Sequence, residues 1–160
     1  MKWLSSTLVA ISLALAGPAY SEPIGHSGLI GKWAVDVSRL PIPAEVRPKS
    51  VSVTFAEAEG GRLFTRVEVV DPNGAVLYAE SVAELNGTPV VVKGNLEADT
   101  AAVSMPAPGV LVMQLSRAGV PGSTRIYTVA ADRKSMTETA ANFGEDGRPV
   151  MRTHQFSRVQ

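Results

Sequence analysis

From Ser50 onward the chain alternates. Val51, Val53 and Phe55 are separated by Ser52 and Thr54; Leu63, Thr65, Val67 and Val69 by Phe64, Arg66 and Glu68; Leu111, Met113 and Leu115 by Val112 and Gln114. A period of two places one set on each face of an extended strand, so these runs predict half-buried β-strands. Residues 78–82, 125–129, 135–139 and 151–156 supply further strands of the same type. No long window carries the period of about 3.6 that marks an amphipathic helix. Residues 38–48 contain three prolines, Pro41, Pro43 and Pro48. A ladder cannot run through them, and the segment reads as an ordered crossing loop with one short helical turn.

Turn chemistry divides the chain at short intervals. Glu59-Gly60-Gly61, Asp71-Pro72-Asn73-Gly74, Asn86-Gly87, Gly94-Asn95, Pro106-Ala107-Pro108-Gly109, Gly119-Val120-Pro121-Gly122, Ala131-Asp132-Arg133-Lys134 and Gly144-Glu145-Asp146-Gly147 all offer residues that fix a turn or tolerate positive φ. Short strands joined this way either pack as two sheets or close on themselves, and closure alone removes exposed edges. The hairpin-after-hairpin order favours an all-β, antiparallel up-and-down β-barrel of about 8–10 strands. An immunoglobulin-like sandwich is the alternative, since a turn spacing of about 8 to 12 residues suits both.

The first residues have a different character. Lys2 precedes an apolar run over residues 8–16, broken by Gly17-Pro18, and Ala19-Tyr20-Ser21 then offers small residues at the positions that precede a signal-peptidase cut. Cleavage is expected after Ser21, leaving residues 22–160 as a single domain, periplasmic or secreted. The apolar run is shorter than the roughly 20 residues a membrane helix needs, and no second run follows, so no membrane insertion is expected after cleavage.

Lys and Arg together number 15, as do Asp and Glu. Loss of residues 1–21 removes only Lys2 among the charged residues. The near-neutral remainder has no basic cluster to meet a phosphate backbone, so nucleic acid is not an expected partner. With no cysteine, an exported chain depends on its hydrophobic core, without disulfides.

Gly31-Lys32-Trp33-Ala34-Val35-Asp36-Val37-Ser38 resembles the Gly-x-Trp opening of the lipocalin and calycin superfamily. It is closer still to small exported bacterial lipocalin-like proteins that open G-x-W-x-x-D-x-x-x-S and continue through a proline loop, although Ser38 stands two residues after Asp36 and not four. Pro48-Lys49-Ser50, Asn86-Gly87-Thr88-Pro89-Val90, Gly94-Asn95, Asp99-Thr100 and the hairpin around Asp132 extend the likeness. The resemblance implies a lipocalin-like barrel closed at one end by Gly31 and Trp33, with an arginine of the last strand, Arg158 or failing that Arg152, packed across the indole. A buried indole needs an acceptor for its N–H, and a guanidinium can stack on its face.

No catalytic constellation emerges from the residues. His26 and His154 lie far apart and fit no metal-ligand spacing or nucleophile elbow. His154 reads as a residue of the sheet surface, and the Gly-rich stretches lack the helix and lysine of a phosphate loop. No enzyme activity, cofactor or metal is expected. What remains is the barrel interior. Ala79, Ala83, Ala101 and Ala102 would leave room, Met105, Met113, Met136 and Met151 are adaptable apolar liners, and Tyr78 and Tyr127 could offer hydroxyls. The expected binding residues are Tyr78, Met113 and Tyr127, for a small hydrophobic ligand. The other reading is an envelope structural or protein-interaction module whose barrel is filled by its own side chains.

Overall fold

The computed structural model describes residues 28–159. They form one antiparallel sheet of eleven strands. These are β1 (Gly31–Val35), β2 (Ser50–Ala58), β3 (Arg62–Val70), β4 (Val76–Ala83), β5 (Val90–Val91), β6 (Lys93–Gly94), β7 (Thr100–Ala107), β8 (Val110–Arg117), β9 (Val120–Val129), β10 (Ser135–Phe143) and β11 (Pro149–Arg158). The long strands pair in chain order, and β11 comes round to β1, with Trp33 opposite Arg158. The sheet is therefore a nearly closed up-and-down barrel and not a sandwich. The strand number exceeds the expectation because residues 90–94 contribute two pieces of two residues each.

Those two pieces span the seam between β4 and β7. Val90–Val91 pair with β7, and Lys93–Gly94 pair with β4. Gly94 has φ 126°, and a Cβ there would collide with the Tyr78 carbonyl, so only glycine allows β6 to approach β4 this closely.

Alternation decides what fills the barrel. The inward set of β2 and β3 includes Val53, Phe55, Leu63 and Thr65, and that of β7 and β8 includes Ala101, Val103, Leu111 and Met113; all are buried. The register gathers Leu29, Trp33, Phe55, Leu63, Leu111 and Met136 into one core. It lies at the end of the barrel that carries the short β2–β3, β7–β8 and β9–β10 turns. The β1–β2, β3–β4, β8–β9 and β10–β11 connections surround the opposite end.

Two local expectations change. The proline loop between β1 and β2 forms two 3₁₀ turns, Val37–Arg39 and Ala44–Val46, where one helical turn was expected. The Asp36 carboxylate caps the first by accepting from the Ser38 amide at 3.1 Å and hydroxyl at 2.6 Å. The two-residue spacing of Asp36 and Ser38 is what makes this cap possible. Pro121 and Gly122 lie in β9 and not in a turn; the chain reverses at Ala118 and Gly119, both at positive φ. A register shift between Leu115 and Ser116 accommodates the proline, which has no N–H for the ladder.

Candidate functional site

Gly31, Trp33 and Arg158 meet at the closed end. The Trp33 indole is fully buried and donates its N–H to the Leu29 carbonyl at 2.8 Å. The Arg158 guanidinium lies 4.1 Å from the indole centroid. Its three nitrogens donate to the carbonyls of Ile30 (2.6 Å), Gly28 (2.7 Å) and Arg133 (2.7 Å). One side chain thus ties the chain before β1 to the β9–β10 turn across the barrel floor, over the buried Trp33. Arg158, and not Arg152, is the residue that covers the indole.

Above this floor the lumen opens. Met113 and Tyr127 face inward and line a cavity of about 170 Å³ with Val51, Val67, Val69 and Leu115. A second space of about 340 Å³ lies beneath residues 40–42 of the proline loop and shares Val51, Val67, Arg125 and Tyr127 with the first. A third, about 310 Å³, reaches the rim between Glu97, Arg117, Asn142 and Arg152. The structure does not bring Tyr78 to Met113 and Tyr127. On β4 the inward positions are Ala79, Ser81 and Ala83, so Tyr78 projects from the outer face, where the Arg66 guanidinium stands 4.8 Å from its ring. Arg66 also pairs with Glu80 at 2.9 Å and Glu68 at 3.4 Å on that face.

Midway up the lumen, β9, β10 and β11 place a polar cluster that the sequence did not announce. Arg125 and Tyr127 on β9, Glu138 on β10 and His154 on β11 all occupy inward positions. Glu138 is 3% exposed. Its Oε1 accepts from Arg125 Nη1 at 2.9 Å and from the Tyr127 hydroxyl at 3.1 Å, while Oε2 lies 2.9 Å from His154 Nδ1. A carboxylate this buried requires such partners, because an unpaired charge in a low-dielectric interior is prohibitively costly. Burial pushes the Tyr127 phenol well above its ordinary value, and the adjacent Glu138 charge adds to the shift. Burial works against the charge of Arg125, but Tyr127, Glu138 and Glu97 outweigh it and hold the guanidinium above its ordinary value. As an arginine, Arg125 is charged at any working pH.

A second carboxylate reaches Arg125 from the rim. Glu97, between β6 and β7, pairs with Arg125 Nη2. The backbone that carries it is fixed: Arg117 donates to the carbonyls of Glu97 (Nε, 2.8 Å) and Leu96 (Nη2). Asp99 accepts the Ala118 amide at 2.8 Å, a bond that holds its carboxyl below the ordinary carboxylate range. Arg152 lines the second and third spaces and makes no side-chain hydrogen bond or ion pair among the described residues. Among the described residues, no group of three or more His, Cys, Asp or Glu side chains could hold a metal ion.

No protein-family model matches the chain, and no curated protein matches its sequence. The site therefore stands on its own geometry: a lumen sealed at one end, apolar on the β2, β3 and β8 side, and charged where β9, β10 and β11 face it. His154, expected on the sheet surface, turns inward. A partial signal was present in the chain, since Arg125 sits in phase with Tyr127, Glu138 with Met136 and His154 with Phe156, each an apolar or aromatic residue of the same strand. The expected cleavage after Ser21 and the N-terminal His26 fall outside the described residues.

Proposed function

We propose that the protein is an exported, lipocalin-like carrier that binds a small, largely apolar molecule in the open half of its barrel and performs no chemistry on it. The observation that carries this reading is the space of about 340 Å³ beneath the proline loop, walled in common with the smaller cavity beside Met113. Ligand sites start at roughly 300 Å³, whereas a barrel filled by its own side chains leaves no such space. Support for export comes from Lys2, the apolar run over residues 8–16 and the Ala19-Tyr20-Ser21 sequence. Support for the lipocalin likeness comes from Gly31, Trp33 and Arg158 at the sealed end.

The test is direct. The environment-sensitive dye N-phenyl-1-naphthylamine should gain fluorescence with the folded protein. Met113→Trp should fill the smaller cavity and diminish that gain without lowering the urea midpoint. A wild-type protein that leaves the dye dark overturns the carrier reading in favour of a filled interaction module. Export is checked separately by N-terminal sequencing of the protein made in a bacterial host with a periplasm. Glu22 as the first residue supports it, and Met1 on a membrane-bound product overturns it.

A further inference from the structure

We infer that the outer wall formed by β7, β8, β9, β10 and β11 is the contact face of a two-fold dimer with a second copy of this chain. The wall carries no charge on its outward positions. Among the charged residues of these strands, Arg125, Glu138 and Arg152 point into the lumen, Arg158 covers Trp33, and Arg117 ends β8 with its side chain on the carbonyls of Leu96 and Glu97. The register sets the neutral outward residues in rows. Val112, Ile126, Thr139 and Thr153 lie side by side, and Gln114, Thr124, Ala141 and Met151 form the next row toward the open rim. Met151 and Phe143, the next outward residue after Ala141 on β10, are 71% and 69% exposed.

The opposite wall has the charges of a solvated surface, with Arg62, Arg66, Glu68 and Glu80 on the outward positions of β3 and β4. Around the uncharged wall, charge returns only in the turns, at Arg133 and Lys134 below and at Asp146 and Arg148 above. An uncharged centre with exposed Met and Phe inside a charged rim is the composition of a protein–protein contact. In a two-fold contact, residues near the axis meet their own counterparts, so a charge there would face a like charge, and this wall has none to oppose. Its hydroxyls both donate and accept. Thr139 or Thr153 can therefore pair with the same residue of the copy, which an ammonium or an ionised carboxylate cannot do. Five strands about 4.8 Å apart, 8–10 residues long at about 3.3 Å per residue, cover about 700 Å² of wall. That approaches the roughly 800 Å² per partner of a standard interface, and barrel curvature reduces what two copies can bury, so the dimer belongs to the small, reversible class. A lipid surface is a poorer match, since acyl chains offer the hydroxyl rows no partner and the charges of β3 and β4 interrupt any apolar belt. The face lies outside the lumen, and the dimer does not depend on the carrier reading.

Sedimentation velocity of the purified protein between about 5 and about 500 µM should show the sedimentation coefficient rising from monomer to dimer with concentration. Met151→Lys and Phe143→Lys place like charges across the two-fold axis. Each should raise the half-dissociation concentration about tenfold or more, and leave the urea midpoint of the dilute monomer unchanged because both side chains are exposed. Val76→Lys removes an exposed apolar side chain from β4, on the charged wall, and should leave the dimer as it is. A protein that stays monomeric at the highest concentration overturns the inference and leaves the face to a different protein. A dimer that survives both lysine variants, or one that Val76→Lys dissolves, places the contact on another surface and overturns the assignment equally.

Discussion

Arg158 occupies the space that a side chain on Gly31 would need. Gly31 has φ 136°, and a Cβ built on it would lie in hard contact with Arg158 Nη1. The glycine of the Gly-x-Trp opening is thus required twice, once by its backbone and once by the guanidinium that covers Trp33. Gly31→Ala should destabilise the protein by about 1–3 kcal/mol through strain at a positive φ, and by more through displacement of Arg158. In a double-mutant cycle of urea midpoints, Arg158→Ala should relieve the second part only. Strict additivity would show that the two residues do not compete for space.

Trp33 is the largest fully buried side chain in the barrel. Its removal opens a void among Leu29, Val53 and Phe156 that a closed sheet cannot collapse to fill. Trp33→Ala should cost about 3–5 kcal/mol, as truncation of buried aromatics does. An unchanged urea midpoint would mean that the barrel floor is sealed by something else.

The fold was legible because β2, β3 and β8 have largely apolar inward faces and outward faces that carry polar residues such as Thr54, Arg66, Glu68 and Gln114, the pattern that period-two reading detects. The same reading failed where the inner wall is polar. Arg125, Glu138 and His154 look like solvent-facing residues, while the apolar Ile126 and Met151 on the outward faces of β9 and β11 are 38% and 71% exposed. On β4, Tyr78-Ala79-Glu80-Ser81-Val82 gives no hydrophobic contrast between faces, and Tyr78 was expected inside although the small residues Ala79 and Ser81 take the inward positions. The split strand over residues 90–94 escaped detection because each half makes only two ladder pairs. The first two failures follow from one cause: the lumen is a polar and apolar mosaic, and alternation reports a face only when that face is uniform.

The lumen cluster gives a stability prediction that separates its members. Glu138→Ala leaves the Tyr127 hydroxyl and His154 Nδ1 without their acceptor and Arg125 with Glu97 alone, and should cost about 3–5 kcal/mol. Tyr127→Phe removes one donor and leaves the carboxylate with two, for a cost of about 1–2 kcal/mol. Chemical denaturation of the two variants checks the order. A Tyr127→Phe cost equal to that of Glu138→Ala would place the main support of the cluster on the hydroxyl.

The β9–β10 turn has a pH signature. Asp132 accepts the amides of Lys134 at 2.8 Å and Ser135 at 3.2 Å, and these bonds hold its carboxyl below the ordinary value of 3.8. A depressed folded-state value means that the ionised form stabilises the fold above the unfolded-state pKa and that this contribution fades as pH falls through the folded-state value. Asp132→Asn mimics the protonated side chain. Its urea midpoint should lie below wild type at neutral pH, and the gap should close as the pH drops below 3.8. A gap that persists unchanged into strong acid would show that the lost contact is not carboxylate hydrogen bonding.

The seam between β4 and β7 is the weakest stretch of the wall, and it borders the proposed binding space. Only Ala79 with Gly94 and Glu80 with Lys93 pair across β4 and β6, and Asn95 supplements them by donating its amide to the Tyr78 carbonyl at 2.9 Å while its side chain accepts the Tyr78 amide at 2.8 Å. Val92, between the two short strands, lines the cavity that holds Met113. Gly94→Ala places a methyl group against the Tyr78 carbonyl and must push β6 away from β4. The barrel should then open along this seam while the long β10–β11 ladder keeps its pairing. Native-state hydrogen exchange should show the amides of Tyr78 and Asn95 losing protection in Gly94→Ala, with those of β10 and β11 unchanged. Uniform loss of protection would mean that the barrel opens only as a whole, and unchanged protection would mean that β6 does not close the wall.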